Sequence, residues 1–187
     1  MENWQVTEWV QHFIRQQVKE GDLCIDATMG NGNDTLLLAR LVGESGHVLA
    51  FDIQEQALKN TEEKLHRAGF EKRCDLFMES HEYMFRYARA ESVSCIVFNL
   101  GYLPGGSHGT ATKAETTVRA VKEGLKLLKK KGLLTLCIYS GGDSGFEEKE
   151  AVTSFLKELN PREFLVIKAE YINRPNHPPI PVLIIKL

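Results

Sequence analysis

Cysteine is scarce in this chain: four residues in 187, Cys24, Cys74, Cys95 and Cys137, lie far apart, each on or beside an apolar run, with no C-x-x-C pair. That spacing excludes a disulfide framework and a thiolate metal site, and reads as reduced thiols in or near a core. Long apolar runs are missing as well. No stretch reaches the roughly eighteen apolar residues that a membrane span needs, and residues 1–5 lack a basic segment leading into an apolar one. The expectation is a soluble, cytoplasmic protein. Nor is there an excess of positive charge: 23 Lys and Arg against 25 Asp and Glu leave a net charge of −2. This balance excludes a protein that coats nucleic acid through its overall field. One local exception, Lys122, Lys126, Lys129, Lys130 and Lys131, falls at the end of a predicted helix. It reads first as a solvated helix end favoured by the dipole and second as an RNA contact. Internal repeats, low-complexity segments and linkers are absent, and 43% hydrophobic content suffices for one core, so one domain over 1–187 is expected.

What is present is an alternation of apolar periods. Val6, Trp9, Val10, Phe13, Ile14 and Val18 recur at helical spacing and predict an opening amphipathic helix, with Trp4 and Trp9 as packing residues. Strand-like runs then alternate with helical ones: strand 22–26, helix 34–42, strand 47–52, helix 54–68, strand 73–78, helix 81–90, strand 93–98, a long loop, helix 113–130, strand 132–139, helix 146–159 and strand 163–170. This order predicts an α/β fold with a mostly parallel, doubly wound sheet. Only a short loop separates the last of these strands from the apolar run 182–185, so the chain should end in an antiparallel hairpin.

The densest signal is Asp26-Ala27-Thr28-Met29-Gly30-Asn31-Gly32-Asn33-Asp34, between the strand Leu23-Cys24-Ile25 and the next helix. A strand, a glycine turn and a helix start together cradle the polar end of a nucleotide-like ligand: Gly30 and Gly32 let backbone approach it, and the helix offers unpaired N–H groups. A dinucleotide fingerprint would need a third glycine at position 35, which is Thr. NAD and FAD therefore lose their main support. A second acid, Asp52, ends the next strand, where a carboxylate can accept both hydroxyls of a ribose, while Asp26 and the turn would face a charged amino-acid-like tail. This pattern resembles the S-adenosylmethionine site of class I methyltransferases, with a turn that merely joins strand to helix as the plain alternative. After the third strand, Ser80 or His81 is placed to meet an adenine, Ser80 equally to cap the next helix, and Gln54 to reach ribose or adenine.

A second segment, Asn99-Leu100-Gly101-Tyr102, follows the strand 95–98 at the same edge. Many methyltransferases acting on nitrogen place an Asn or Asp, two residues that are often proline, and an aromatic here. The carbonyls accept hydrogen bonds from the target amine and the aromatic packs on the substrate ring. Asn99 and Tyr102 hold the polar and aromatic positions, while Leu100 and Gly101 replace the prolines, which leaves the amine assignment open. The plain reading is a turn cap and a core filler. Asn99 cannot take a proton, so its role would be orientation, and His81, His108 and His177 are the histidines near predicted strand ends. The loop 171–179, with Asn173, Arg174 and His177, leaves the edge where such sheets bind ligands and should overhang the cleft as a substrate contact. Tyr139 to Asp143 ends the fifth strand, where its glycines either shape a substrate mouth or turn the chain. The expected chemistry needs no metal.

Taken in order, Asp-Ala-Thr-Met-Gly-Asn-Gly-Asn-Asp, Phe-Asp-Ile-Gln, Glu-Ser-His, Asn-Leu-Gly-Tyr-Leu-Pro-Gly-Gly and Asn-Arg-Pro-Asn-His-Pro-Pro resemble a specific family over nearly the whole chain. It is that of small bacterial enzymes first labelled rRNA methylases and later assigned to wobble-uridine modification of tRNA. The resemblance implies a seven-stranded Rossmann-like sheet and S-adenosylmethionine bound through Asn31, Asn33, Asp52, Gln54, Ser80 and His81. It also implies methylation of the amine of 5-aminomethyl-2-thiouridine at tRNA position 34, within the anticodon stem-loop. Two other classes stay open: an rRNA or small-molecule methyltransferase on the same fold, and a non-catalytic RNA-binding module that keeps the pocket. A homodimer would assemble a basic groove that the charge of one chain does not reveal.

Overall fold

The computed structural model describes residues 5–101, 112–139, 145–174 and 178–187. Seven strands form one sheet in the order β3-β2-β1-β4-β5-β7-β6: β1 Leu23–Asp26, β2 His47–Asp52, β3 Cys74–Met78, β4 Val93–Leu100, β5 Leu128–Ile138, β6 Phe164–Lys168 and β7 Ile180–Lys186. β3, β2, β1, β4 and β5 run parallel, and β7 lies antiparallel between β5 and β6. The expected terminal hairpin is present, with β7 longer than the four-residue run that marked it.

Strand alternation divides the core between two faces. Cys24, Val48, Cys95 and Val97 point to one side, where they meet Val6, Val10 and Ile14 of helix α1 (Val6–Gln17), Leu38 and Ala39 of α2 (Asn33–Leu41) and Leu65 of α3 (Glu55–Ala68). Their neighbours Ile25, Leu49, Ile96 and Phe98 point to the other side, against Ala120, Val121 and Leu125 of α4 (Ala114–Leu127) and Val152 and Leu156 of α5 (Gly145–Lys157). All four cysteines are buried free thiols on the first face, where burial pushes Cys24 well above its usual range and Cys74 up to about 12. Trp9 and Phe13 meet edge-on at 4.7 Å at the rim of that face, the packing role expected of Trp9; Trp4 lies outside the described residues.

Two predicted elements change on folding. Residues 81–90 do not form an α-helix: a 3-10 turn runs His81–Arg86, with Ser80 as its N-cap, accepting from the Glu82 N–H at 3.4 Å. The helix predicted to 130 ends at Leu127, and Leu128 is already extended, fully buried and paired with Val93. Tertiary pairing overrides helix propensity there. Lys129, Lys130 and Lys131 therefore belong to a strand start rather than to a helix end, at the amino edge of the sheet.

Candidate functional site

The order of strands contains one reversal. From β1 the chain moves outward through β2 to β3, and from β4 it moves the opposite way to β5. The chain therefore leaves the carboxyl ends of β1 and β4 in opposite directions, and such a switch point is the crevice position where open α/β sheets bind ligands. Both motifs singled out in the sequence end there. Asp26 pairs with Val97 in the sheet, two residues before Asn99.

The loop after β1 is held at every step by its neighbours. Ala27 N–H donates to Val97 O and Met29 N–H to Phe51 O, both at 2.9 Å, and Gly32 N–H closes the turn on Met29 O at 2.7 Å. Gly30 and Gly32 take the left-handed region, at φ 49° and 71°. Gly32 has a further reason: a Cβ there would stand 2.8 Å from Thr61 Oγ1 and 2.9 Å from Thr61 Cα, so it is the packing of α2 on α3 that demands glycine. This packing requirement stands beside the ligand-approach role expected of it.

Asp26 is wholly buried. It accepts from Thr35 Oγ1 at 2.6 Å and from the Thr28 N–H at 3.2 Å, and so ties the loop to α2 rather than facing a ligand's charged tail as expected. Burial, then the nearby carboxylates of Asp34 and Asp52, push its pKa up to about 7, against the hydrogen bonds that favour the anion. Asp52 is half-buried. Its Oδ2 accepts from the Gly30 N–H and its Oδ1 from the Gln54 N–H, each at 3.0 Å, and burial raises its pKa against these bonds. Each oxygen keeps a second lone pair, so the carboxylate remains able to accept hydroxyl donors. Asn31 and Asn33 turn toward α3: Asn31 Oδ1 accepts from Asn60 Nδ2 at 2.8 Å, and Asn33 Oδ1 accepts from Lys64 Nζ. Gln54 is half-buried just before α3.

His81 lies under the loop, 8% exposed. Its Nδ1 lies 3.1 Å from Ala27 O, and since a carbonyl only accepts, the proton sits on Nδ1. Burial holds its pKa below the usual histidine value, and Nε2 is buried without a hydrogen-bond partner. The ring is a neutral support for the loop. Ile53 and Met78, at the ends of β2 and β3, stay 57% and 60% exposed and form an apolar ledge beside Asp52.

On the β4 side, Asn99 is inside the strand, paired with Cys137. Its N–H donates to Thr28 Oγ1 at 2.7 Å and its Nδ2 donates to Asp34 Oδ2 at 2.6 Å. Gly101 at φ 139° packs against Tyr139, which directly follows β5 and is 39% exposed. Gly101 and Thr112 bond to each other, and Thr112 and Thr117 donate to the buried carboxylate of Glu148 at 2.8 and 2.6 Å. Gly101 and Thr112, the described residues that flank positions 102–111, therefore meet close to Asn99 in the chain. Tyr102 and His108 lie outside the described residues, as do His177 and residues 140–144. Asn173 and Arg174 are exposed on the β6–β7 loop, which leaves the sheet at the same carboxyl edge as β4 and β5.

Sequence reasoning missed Asp34, Thr28, Gln11 and Glu148. Asp34 reads as an ordinary acid in a helix's first turn, and the partners of the others lie between 23 and 71 residues away in the chain.

Fold and site define the class: this is the architecture of class I, S-adenosylmethionine-dependent methyltransferases. A family model described as Putative rRNA methylase matches residues 48–185, and the chain belongs to that family. A tRNA (mnm(5)s(2)U34)-methyltransferase, chloroplastic, of Arabidopsis thaliana is 39% identical over 179 residues, 90% of this chain and 65% of the relative, so the chain spans about two thirds of that protein's length. The crystal structure of a rRNA methylase so described from Clostridium thermocellum is 44% identical with TM-score 0.97, each chain covered completely. A Streptococcus mutans methyltransferase, solved in complex with SAH, is 38% identical with TM-score 0.90, again over both whole chains.

Proposed function

We propose that this chain transfers the methyl group of S-adenosylmethionine to the amine of 5-aminomethyl-2-thiouridine at tRNA position 34, giving 5-methylaminomethyl-2-thiouridine. One observation carries the reading: at the crevice position between β1 and β4, a glycine turn bonded to the Asp52 carboxylate stands next to an asparagine tethered to the same loop. The Asp52 carboxylate favours a cationic ligand over a phosphate, and S-adenosylmethionine carries both an ammonium and a sulfonium. Asp52 has acceptor capacity for a ribose diol, and Ile53 and Met78 offer an apolar ledge to a purine. Asn31, Asn33, Gln54, Ser80 and His81 complete the proposed cofactor site. His81 acts from beneath the loop, and Asn31 and Asn33 act from side chains anchored on α3. The name of the Arabidopsis relative supports the choice of tRNA and of the wobble amine.

When bound, the cofactor supplies an electrophilic methyl that leaves a neutral thioether as the amine nitrogen bonds to carbon. The residues of this chain place the two partners. Asn99 accepts an N–H of the neutral amine, which aims the nitrogen lone pair along the line of displacement. Tyr102 and Tyr139 supply aromatic surface for the uridine ring. Asn173, Arg174 and His177 meet the tRNA from the β6–β7 loop. Such positioning contributes up to roughly 7 to 11 kcal/mol in favourable systems. The product ammonium then loses its proton to solvent.

The test is methyl transfer from labelled S-adenosylmethionine to bulk tRNA from cells lacking this protein, followed by nucleoside mass analysis. Label on 5-aminomethyl-2-thiouridine is the expected result. Label on rRNA or a small molecule instead, or cofactor binding without any transfer, overturns the reading.

A further inference from the structure

The carboxylate of Asp34 bridges three elements. From the first turn of α2, its Oδ2 accepts from Asn99 Nδ2 of β4 at 2.6 Å, and its Oδ1 accepts from Gln11 Nε2 of α1 at 2.7 Å. Gln11 Oε1 in turn accepts from Arg15 Nη2 at 3.2 Å. We propose that Asp34 is a positioning residue that locks the side-chain amide of Asn99 in one of its two orientations, with the carbonyl oxygen turned away from Asp34 to receive the acceptor amine. The proposal rests on the amine-methylating reading above and names how its acceptor is oriented.

An asparagine amide has nearly the same shape in both orientations, but a flip exchanges a donor for an acceptor at the same point. At a site that must accept an amine N–H, the flipped state presents an NH2 group instead and repels the substrate. An ionised carboxylate only accepts. With Asp34 2.6 Å from Asn99, the flipped state would set oxygen against oxygen, so only the orientation with Nδ2 toward Asp34 survives. The bond from Asn99 N–H to Thr28 Oγ1 holds the backbone of the same residue. Gln11 restrains Asp34 by the same logic, because its amide is oriented by Arg15 at one end and by the carboxylate at the other. Donation to a carboxylate also draws electron density toward the Asn99 carbonyl, which makes it a stronger acceptor.

The test is a double-mutant cycle of Asp34→Ala and Asn99→Ala, read by single-turnover methyl transfer to tRNA and by SAH calorimetry, with the Asn99 side-chain NH2 followed by NMR. Asp34→Ala is expected to slow transfer by about tenfold or more with SAH affinity within about twofold, yet to add nothing in the Asn99→Ala background. The Asn99 NH2 protons should exchange slowly in the wild type and revert to free-amide behaviour in Asp34→Ala. Equal slowing by Asp34→Ala in both backgrounds would show Asp34 acting by itself, as a proton acceptor or on the fold, and overturns the lock. So does an unchanged rate. Should Asp34→Ala not fold, Gln11→Ala takes its place, with a smaller slowing that Asn99→Ala again abolishes. Failure of the wild type to methylate this tRNA overturns the functional reading, and the NMR of Asn99 then decides the orientation by itself.

Discussion

Asp52 and Asp26 end adjacent strands with the same side chain and hold opposite positions toward solvent. Asp52, half-buried with one backbone N–H on each oxygen, keeps acceptor capacity at the crevice. Asp52→Ala is expected to weaken SAH binding by at least about tenfold, since it removes a charge-assisted acceptor, and calorimetry with unchanged affinity would dismiss it from the site. Asp26 is shut away, with a pKa near 7 against 3.8 for an ordinary aspartate. The folded chain therefore binds the extra proton between those values. The contribution of this group to stability is complete below the ordinary value and declines as pH rises toward the folded one. Relative to Asp26→Asn, the wild type should lose stability between about pH 4 and 7, by up to about 4 kcal/mol, with no further change above. Chemical denaturation of both proteins across that range checks it, and parallel curves would refute it. The acids at 26 and 52 were legible as strand-end carboxylates, but which of them meets solvent was not, because depth depends on the helices packed over them.

At the scale of elements, the turn between β1 and α2 is shaped as much by α3 as by any ligand. Thr61 stands where a Gly32 side chain would go, and the left-handed φ adds a second penalty. Gly32→Ala should cost roughly 1 to 3 kcal/mol of folding stability. Thermal unfolding measures this directly, and an unshifted midpoint would show that α2 and α3 separate freely. Most elements were readable from periodicity because each contains its own pattern. The boundary at Leu127 was not, because Leu128 leaves the helix to pair with Val93, 35 residues earlier. The turn after Ser80 was readable by its cap but not by its helix type.

For the molecule as a whole, the two edges of the sheet carry different charge arrangements. The lysine cluster lies at the amino edge, where Lys129 pairs with Asp22 and Lys126 with Glu123, each at 2.7 Å. Arg174 lies on the carboxyl edge with the crevice. Arg174→Ala is expected to raise the KM for tRNA about threefold or more, whereas Lys130→Ala with Lys131→Ala should leave it within about twofold. Steady-state kinetics on one tRNA preparation compares the two, and the reverse order would move the RNA path to the other edge. Among the described residues, no helix is long and apolar enough to cross a membrane.

The sequence by itself determined the alternation of strands and helices, the final hairpin, and the glycine turn with its strand-end acids, because each is written in contiguous residues whose spacing matches a backbone period. Only the tertiary structure decided that Gly32 answers to Thr61, that His81 supports the loop from below, and that Gln11, Asp34 and Asn99 form one line of hydrogen bonds. Those relations join residues tens of positions apart, and no local pattern encodes a hydrogen bond between chain segments that meet only when the sheet assembles.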